Sequence, residues 1–430
     1  MRLHRRTFLK YSAGAAASAC LSASCKDAAK GEAGATAPAS SPGPFPGLKP
    51  MTAGIVQIKD EERLARIEKA RRLMAENGLD AVLLEAGTSM FYYTGVSWGL
   101  SERTFAVVLP AKGEMAWITP KFEEERAREL IRFGADVRAW EEDESPYRLI
   151  AGVFADRGIR TGKIGVEERL RFFIYDGVRR EAPALEYAGA DPVTIGCRVI
   201  KSRAELDLMQ IANDITIEAY KAVVPRFREG MTKAQFADLS AAAFAALGAA
   251  GRIGANFGEA TSLPHGSVKP RNLREGDVIL MDGGCPIDGY RSDISRTIVF
   301  GKPTQRQLDV WNLEKEAQAA AFKAARTGVA CEDVDAAARK VIVDAGYGPD
   351  YKVPGLPHRT GHGIGLDGHE WINLVRGNKT PIRPGMCFTN EPMIVIPGEF
   401  GVRLEDDMHI DEAGAVFFSQ PSPAIDRPFA

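Results

Sequence analysis

The chain has 430 residues, 45% of them hydrophobic and 26% charged, an ordinary globular composition with length for two or three domains. Its 55 basic and 57 acidic residues leave a formal charge of −2, which excludes the basic excess of a general nucleic-acid binder; no run approaches the roughly 20 apolar residues of a membrane span. Six cysteines are too sparse for a disulfide scaffold, and of the six histidines four (His265, His358, His362 and His369) crowd into one stretch.

Residues 1–25 contain Arg2, Arg5, Arg6 and Lys10 and no acidic residue. Arg5-Arg6-Thr7-Phe8-Leu9-Lys10 is a twin-arginine pattern, and the Ala- and Ser-rich stretch from Tyr11 to Ser24 is too short to span a bilayer stably. This layout is that of an export signal, so the twin-arginine export machinery is an expected partner and a periplasmic or otherwise exported location is expected. Cys20 and Cys25 each follow small residues and are candidate lipid-anchor sites, the one way a membrane would be involved. Residues 26–50, mostly Ala, Gly, Ser and Pro, cannot bury enough surface to offset ordering entropy and read as a flexible linker.

Residues 51–192 read as a smaller α/β domain. Asp60 to Asn77 has helical periodicity, and Asn77-Gly78 ends it. Ala81–Leu84, Phe105–Leu109, Met115–Ile118 and Lys163–Val166 read as strands, and Glu123–Ile131 and Phe172–Arg180 as helices. Asp191-Pro192 reads as a turn. Residues 193–430 change character: helices are expected over Ser202–Val223, Thr232–Leu247, Gln305–Arg326 and Cys331–Ala345, with β-hairpins between and after them. Helices grouped beside hairpins indicate α+β rather than a doubly wound sheet.

Val278–Gly284 is an apolar strand holding Asp282, Asp288-Gly289 are hairpin turn residues, and Ser292–Ile298 returns with Asp293. The two aspartates should face each other on one side of the hairpin, where like charges destabilise unless neutralised. Phe388–Ile396 with Glu391, the turn 397–401 and Val402–Ile410 with Glu405 repeat the arrangement, and Arg403 shares the face of Glu405. Between the hairpins, His358, His362 and His369 lie in a glycine-rich stretch whose backbone can approach a ligand closely. Four carboxylates and an imidazole form a hard ligand set for two divalent metal ions, Mn²⁺ or Mg²⁺ first, with Co²⁺, Fe²⁺ or Zn²⁺ possible. Such a pair activates a water and polarises a carbonyl oxygen, leaving other histidines to move protons or bind an oxyanion. Gly363-x-Gly365-x-x-Gly368 matches a dinucleotide fingerprint, but no strong helix follows it. Cys285 reads as a small packed residue rather than a nucleophile.

The stretches LPHG at 263–266, MDGGCPIDGYRSDISRT at 281–297, HRTGHGIGLDGHE at 358–370, TNEP at 389–392 and VRLEDD at 402–407 resemble those of the pita-bread metallopeptidases: Xaa-Pro aminopeptidase, prolidase and methionine aminopeptidase. The resemblance covers about 195–420, and the segment before it looks like a creatinase-type N-terminal domain, which favours the proline-directed branch. It implies a C-terminal pita-bread fold with five metal ligands, Asp282, Asp293, His362, Glu391 and Glu405. Asp293 and Glu405 match the bridging carboxylates, and Glu391 matches the proton acceptor for the attacking water. His265 and His369 match catalytic histidines that stabilise the tetrahedral intermediate; His358 and Arg403 match substrate-binding positions. A small peptide substrate and a homodimer are the implied partners. Gly368 and Trp371 depart from the family pattern and keep a second reading open, a metal-dependent hydrolase or lyase acting on a small non-peptide substrate. A non-catalytic peptide-binding module is a third.

Overall fold

The computed structural model describes residues 43–429. The proposed signal, Cys20, Cys25 and the linker up to residue 42 lie outside that range. Residues 43–50, read as linker, are not free. Phe45 is buried in the main core, the Arg226 guanidinium sits over its ring, and the Met51 N–H donates to the Leu247 carbonyl. One aromatic side chain and a backbone bond dock what a Gly/Pro-rich composition leaves looking loose.

The first part contains helices α1 (Asp60–Glu76), α2 (Thr88–Thr94), α3 (Glu124–Leu130), α4 (Pro146–Asp156), α5 (Phe172–Glu181) and α6 (Asp191–Arg198), and strands β1 (Ala81–Glu85), β2 (Ala106–Pro110), β3 (Ala116–Pro120), β4 (Asp136–Trp140), β5 (Gly162–Val166) and β6 (Leu185–Gly189). The strands form one mixed sheet ordered β4-β3-β2-β1-β5-β6. Side-chain alternation divides β1 between two cores. Ala81 and Leu83 pack with Ile150, Phe154 and Val178 of α4 and α5, whereas Val82 and Leu84 join Ile67 and Met74 of α1 in the core that continues into the second part. Asp191-Pro192 opens α6 instead of a turn. Proline is tolerated in the first helical turn, where its missing N–H has no intrahelical partner.

The second part contains α7 (Arg203–Val223), α8 (Lys233–Ala246), α9 (Gln305–Ala324) and α10 (Cys331–Asp344). Its strands are β7 (Arg252–Phe257), β8 (Val278–Gly284), β9 (Pro286–Ile287), β10 (Tyr290–Arg291), β11 (Ile294–Val299), β12 (Gly361–Gly363), β13 (Glu370–Leu374), β14 (Cys387–Asn390), β15 (Met393–Ile396), β16 (Phe400–Arg403), β17 (Asp406–Ile410) and β18 (Ala415–Phe417). They form a sheet β11-β8-β7, a sheet β13-β12-β14-β17-β18 and two ribbons, β9-β10 and β15-β16. Buried side chains of α7 and α8 pack with β7 and β8, while those of α9 and α10 pack with β14 to β17. The architecture is α+β, with a smaller α/β part in front. Capping boxes open α7 at Ser202, α8 at Thr232 and α9 at Thr304. Four cysteines, Cys197, Cys285, Cys331 and Cys387, are buried and unbridged.

Candidate metal centre and active site

The first hairpin turns through Asp288 (φ 46°) and Gly289 (φ 87°), the left-handed pair of a two-residue type I′ turn. That centres the hairpin between 288 and 289, and Asp282 pairs with Ser295. Asp293 was expected directly opposite Asp282; it lies instead one diagonal step away, two residues from Ser295 on the same strand. The shared face survives the correction, because oxygens of Asp282, Asp293 and Glu405 lie within 4.8 Å of one another.

The second hairpin keeps the expected register, with Asn390 opposite Asp406 and Met393 opposite Arg403. It is nevertheless not one continuous ladder. The strands change sheets at Glu391-Pro392 and Leu404-Glu405, where Pro392 has no N–H to donate. The Glu391 N–H donates to the Thr360 carbonyl (2.8 Å), and Glu405 and Ser295 exchange backbone bonds of 3.2 and 3.3 Å. Both glutamates therefore sit at the breaks, and the Ser295–Glu405 bridge fastens one hairpin to the other.

His362, on β12, adds the imidazole. Its Nδ1 lies 3.0 Å from the Gly363 carbonyl, which can only accept, so Nδ1 carries the hydrogen and Nε2 keeps its lone pair when the ring is neutral. Nε2 faces Glu391 Oε1 at 3.1 Å, two acceptors with a cation's place between them. Two ligands at about 2.1 Å from one ion, at a right angle, are about 3.0 Å apart. His362, Glu391 and Glu405 form a second group with ligand atoms within 4.8 Å, and Asp293, His362 and His369 a third. The electrostatics agree. Burial, then the charges of neighbouring carboxylates, hold Asp293 and Glu405 well above the usual carboxylate range. Burial alone would raise Glu391 as well, but in the cation-free site a protonated His362 donating from Nε2, then Arg403, bring it down to about 2. Crowded, buried, hard oxygen donors beside an oriented imidazole fit divalent cations.

The other expected residues are less closely gathered. Arg403 is buried; its Nη2 donates to Asp282 Oδ2 (2.5 Å), its Nε to Ser295 Oγ (3.0 Å) and its Nη1 to the Pro264 carbonyl (3.4 Å). His265, the next residue after Pro264, is exposed and belongs to none of the three groups. His358 bonds through Nδ1 to the Arg359 carbonyl (2.7 Å), and its Nε2 is buried without a partner. Burial lowers its pKa, against the pull of the Glu391 charge. His369 stacks on His362 with ring centroids 3.8 Å apart. Partial burial, then the neighbouring His362 and Arg359, lower its pKa to about 4, so it is neutral at pH 7. Arg359 Nη2 lies 2.8 Å from His369 Nδ1. A guanidinium only donates, so the free His369 Nε2 carries the hydrogen.

Several supporting residues escaped the sequence reading. Asp407 accepts from the Asp293 backbone N–H (2.9 Å) and from Asn213 (3.1 Å). Thr389 Oγ1 accepts from the His362 N–H (3.1 Å) and lies 3.3 Å from Glu391 Oε1. Glu370 is buried between Arg198 (2.6 Å) and Lys201 (2.9 Å) and accepts from the Leu366 N–H (3.1 Å), closing the glycine-rich loop. Those cations overcome burial and hold its carboxyl at about 2. The adjacency of Asp407 to the Glu405 strand was visible in VRLEDD; the partners of Glu370 were not, since Arg198 and Lys201 lie about 170 residues away in the chain. The loop of Gly363, Gly365 and Gly368 leads from β12 to β13, not into a helix, which removes the dinucleotide reading.

Family comparison agrees with this geometry. "Metallopeptidase family M24" matches residues 207–412, and "Creatinase/Prolidase N-terminal domain" matches residues 66–200. The chain is 37% identical over 383 residues to an uncharacterized peptidase of Schizosaccharomyces pombe, covering 83% of this chain and 81% of that one. It is 30% identical over 354 residues to a Xaa-Pro dipeptidase of Pyrococcus furiosus, covering 81% and 96%. Among solved structures, a prolidase from Thermococcus sibiricus superposes with a TM-score of 0.77 at 28% identity, covering 85% and 98% of the two chains. The dipeptidase PepE from Mycobacterium ulcerans gives 0.77 at 30% identity, covering 85% and 97%. The protein belongs to metallopeptidase family M24, with the pita-bread fold behind a creatinase/prolidase-type N-terminal domain.

Proposed function

We propose that the protein hydrolyses Xaa-Pro bonds of small peptides as a dinuclear metal enzyme, with Asp282, Asp293, His362, Glu391 and Glu405 as ligands and Mn²⁺ as the foremost metal. The observation that carries this reading is the convergence of those five side chains at the junction of two hairpins, in a chain similar to a Xaa-Pro dipeptidase and a prolidase. When bound, divalent ions supply Lewis acidity and lower the pKa of water. Asp293 and Glu405, which the family resemblance assigns to the bridging positions, would be shared between the two ions, and their oxygens lie within 4.8 Å of each other and of Asp282. Glu391, whose family counterpart is the proton acceptor, would take the proton of the attacking water. His369 presents an Nε2–H to the developing oxyanion because Arg359 occupies its Nδ1. By the family resemblance, His265 is the second donor and His358 borders the proline pocket. Arg403 holds Asp282 in place and carries a positive charge toward the substrate.

The test is metal reconstitution of the stripped protein followed by assays on Xaa-Pro dipeptides and tripeptides. Turnover is expected, strongest with Mn²⁺; no cleavage of any Xaa-Pro peptide with any divalent ion would overturn the reading. Asp293→Ala and Glu405→Ala are expected to bind less metal, read by elemental analysis, and to lose at least a thousandfold in kcat/KM. The proposal includes export of the folded enzyme through the twin-arginine route and a homodimer. Cell fractionation with and without Arg5→Lys/Arg6→Lys, and sizing by light scattering, test the two parts.

A further inference from the structure

The glycine-rich loop from β12 to β13 carries His362 at one end and His369 at the other, and the two are held differently. His362 is buried, with its backbone N–H on Thr389 Oγ1 and its ring on the Gly363 carbonyl. His369 is exposed, its ring resting on His362 and Arg359. An exposed ring is fixed little by packing, so its place depends on the backbone beneath it. The three glycines of the loop differ in what they demand. A Cβ on Gly363 would come within 3.0–3.1 Å of the backbone of residues 370–372, and one on Gly365 within 2.9 Å of the Glu370 carboxylate and the Lys201 stem, so close approach requires glycine at both. A Cβ on Gly368 would meet only Arg291 Cδ, at 3.8 Å, and its φ lies outside the left-handed region. Glycine at 368 therefore adds backbone freedom beside His369 and packs against nothing.

The neighbouring Asp367 is held from outside the catalytic part. Its Oδ1 accepts from Thr88 Oγ1 at the start of α2 (2.7 Å) and from Arg169 Nη1 after β5 (2.9 Å), and its Oδ2 accepts from Arg198 Nη2 at the end of α6 (2.7 Å). All three donors lie within residues 66–200, the creatinase/prolidase-type domain, whereas Asp367 lies within the metallopeptidase segment 207–412. Arg198 Nη2 also donates to Glu370 Oε1 (2.6 Å). Charge-assisted bonds therefore grip the chain on both sides of Gly368 and His369.

We propose that Thr88 and Arg169 are positioning residues for the reaction: through Asp367, the N-terminal domain of the same chain holds His369 where its Nε2–H meets the developing oxyanion. The inference rests on the Xaa-Pro reading above and assigns the smaller domain a part in it. An oxyanion donor acts in the transition state, so its displacement costs turnover and leaves substrate binding alone. The Arg169 side chain is 55% exposed, and an exposed ion pair contributes little to stability. Loss of the latch is therefore separable from loss of the fold.

The experiment compares the metal-loaded native enzyme with Thr88→Ala/Arg169→Ala, with Asp367→Ala and with the triple variant. The readouts are Ala-Pro hydrolysis, elemental analysis, thermal melting and hydrogen exchange of peptides covering 361–374. The N–H groups of Gly365, Leu366 and Asp367 are bonded within the loop, to the Asp367 carbonyl (3.1 Å) and to Glu370 Oε1 (3.1 and 3.3 Å), so their exchange reports its closure. The double variant is expected to keep its metal and its melting temperature, to lose about tenfold in kcat with KM unchanged, and to exchange the loop about tenfold faster. The triple variant should lose no more than Asp367→Ala, because the three residues act as one unit. Gly368→Ala, which restricts the loosened backbone, should restore part of the kcat of the double variant. Unchanged kcat, unchanged exchange, additive losses, no restoration by Gly368→Ala, or a fall in kcat matched by a fall in bound metal would each overturn the inference. A native enzyme that cleaves no Xaa-Pro peptide marks failure of the underlying function instead; loop exchange then decides the latch by itself, and no acceleration in the double variant overturns it.

Discussion

Asp293 and Glu405 have opposite effects with and without a cation. Both carboxyls are held well above the ordinary range by burial and by their neighbours, so in the folded protein without metal they retain protons that the unfolded chain would release. Stability from that protonation is present below about pH 4, the unfolded value, and is lost as pH rises through the raised folded values. In EDTA, Asp293→Asn is therefore expected to melt at a higher temperature than the native protein, by a margin that grows from pH 5 to pH 8. With metal added, the order should reverse, because the native site gains binding energy that the variant lacks. Calorimetry in the two buffers checks both signs. Glu370 behaves differently, since its partners are protein cations. Glu370→Gln leaves Arg198 and Lys201 buried without their carboxylate and should cost roughly 3 kcal/mol in urea unfolding. Protease cleavage within 361–369 should accelerate as that loop loosens.

At the scale of elements, the N-cap of α7 does two tasks. Ser202 Oγ accepts from the Glu205 N–H (3.3 Å) and donates to Glu62 Oε1 on α1 (2.7 Å). Ser202→Ala should cost about 1 kcal/mol of stability with little effect on kcat, a separation that urea titration and the peptide assay measure together. Helices α1, α7 and α9 were legible in the sequence, because periodicity is a local signal. The four carboxylates, and the side of the hairpin they occupy, were legible for the same reason. The exact pairing of Asp282 was not. A one-residue displacement of the turn centre moves the partner by two, and φ at Asp288 decides it. The break at Glu391-Pro392 was not legible, with Phe388–Ile396 reading as one strand: the exit of β15 and β16 into their own ribbon depends on Thr360 and Ser295, which meet these strands only in the fold. Short elements such as α2 and β4 lack the length for a period to show.

On the scale of the whole molecule, the two family segments share one core. Ile67 and Met74 of α1, Val82 of β1, Met209 of α7, Ile287 beside the turn and Leu366 of the glycine-rich loop belong to the same buried cluster. Polar ties cross the same boundary. Thr88 and Arg169 both reach Asp367, at 2.7 and 2.9 Å, and Arg66 reaches Tyr290 at 3.1 Å. The segment 201–430 expressed alone is therefore expected to be insoluble or to lack a cooperative thermal transition, because it would expose the shared face to water. Circular dichroism melting of that segment beside residues 43–430 tests the expectation; a sharp transition in the isolated segment would count against a shared core.

The four buried, unbridged cysteines provide a built-in clock. They are distributed over the molecule: Cys197 on α6, Cys285 between β8 and β9, Cys331 at the start of α10 and Cys387 on β14. Burial raises each thiol's pKa, so a thiol-specific reagent finds little thiolate while the protein is closed. Each labelling rate then reports the opening of one neighbourhood. Mass spectrometry of labelled peptides, taken with and without metal, would time how far the cation's grip extends from the hairpins through the interior.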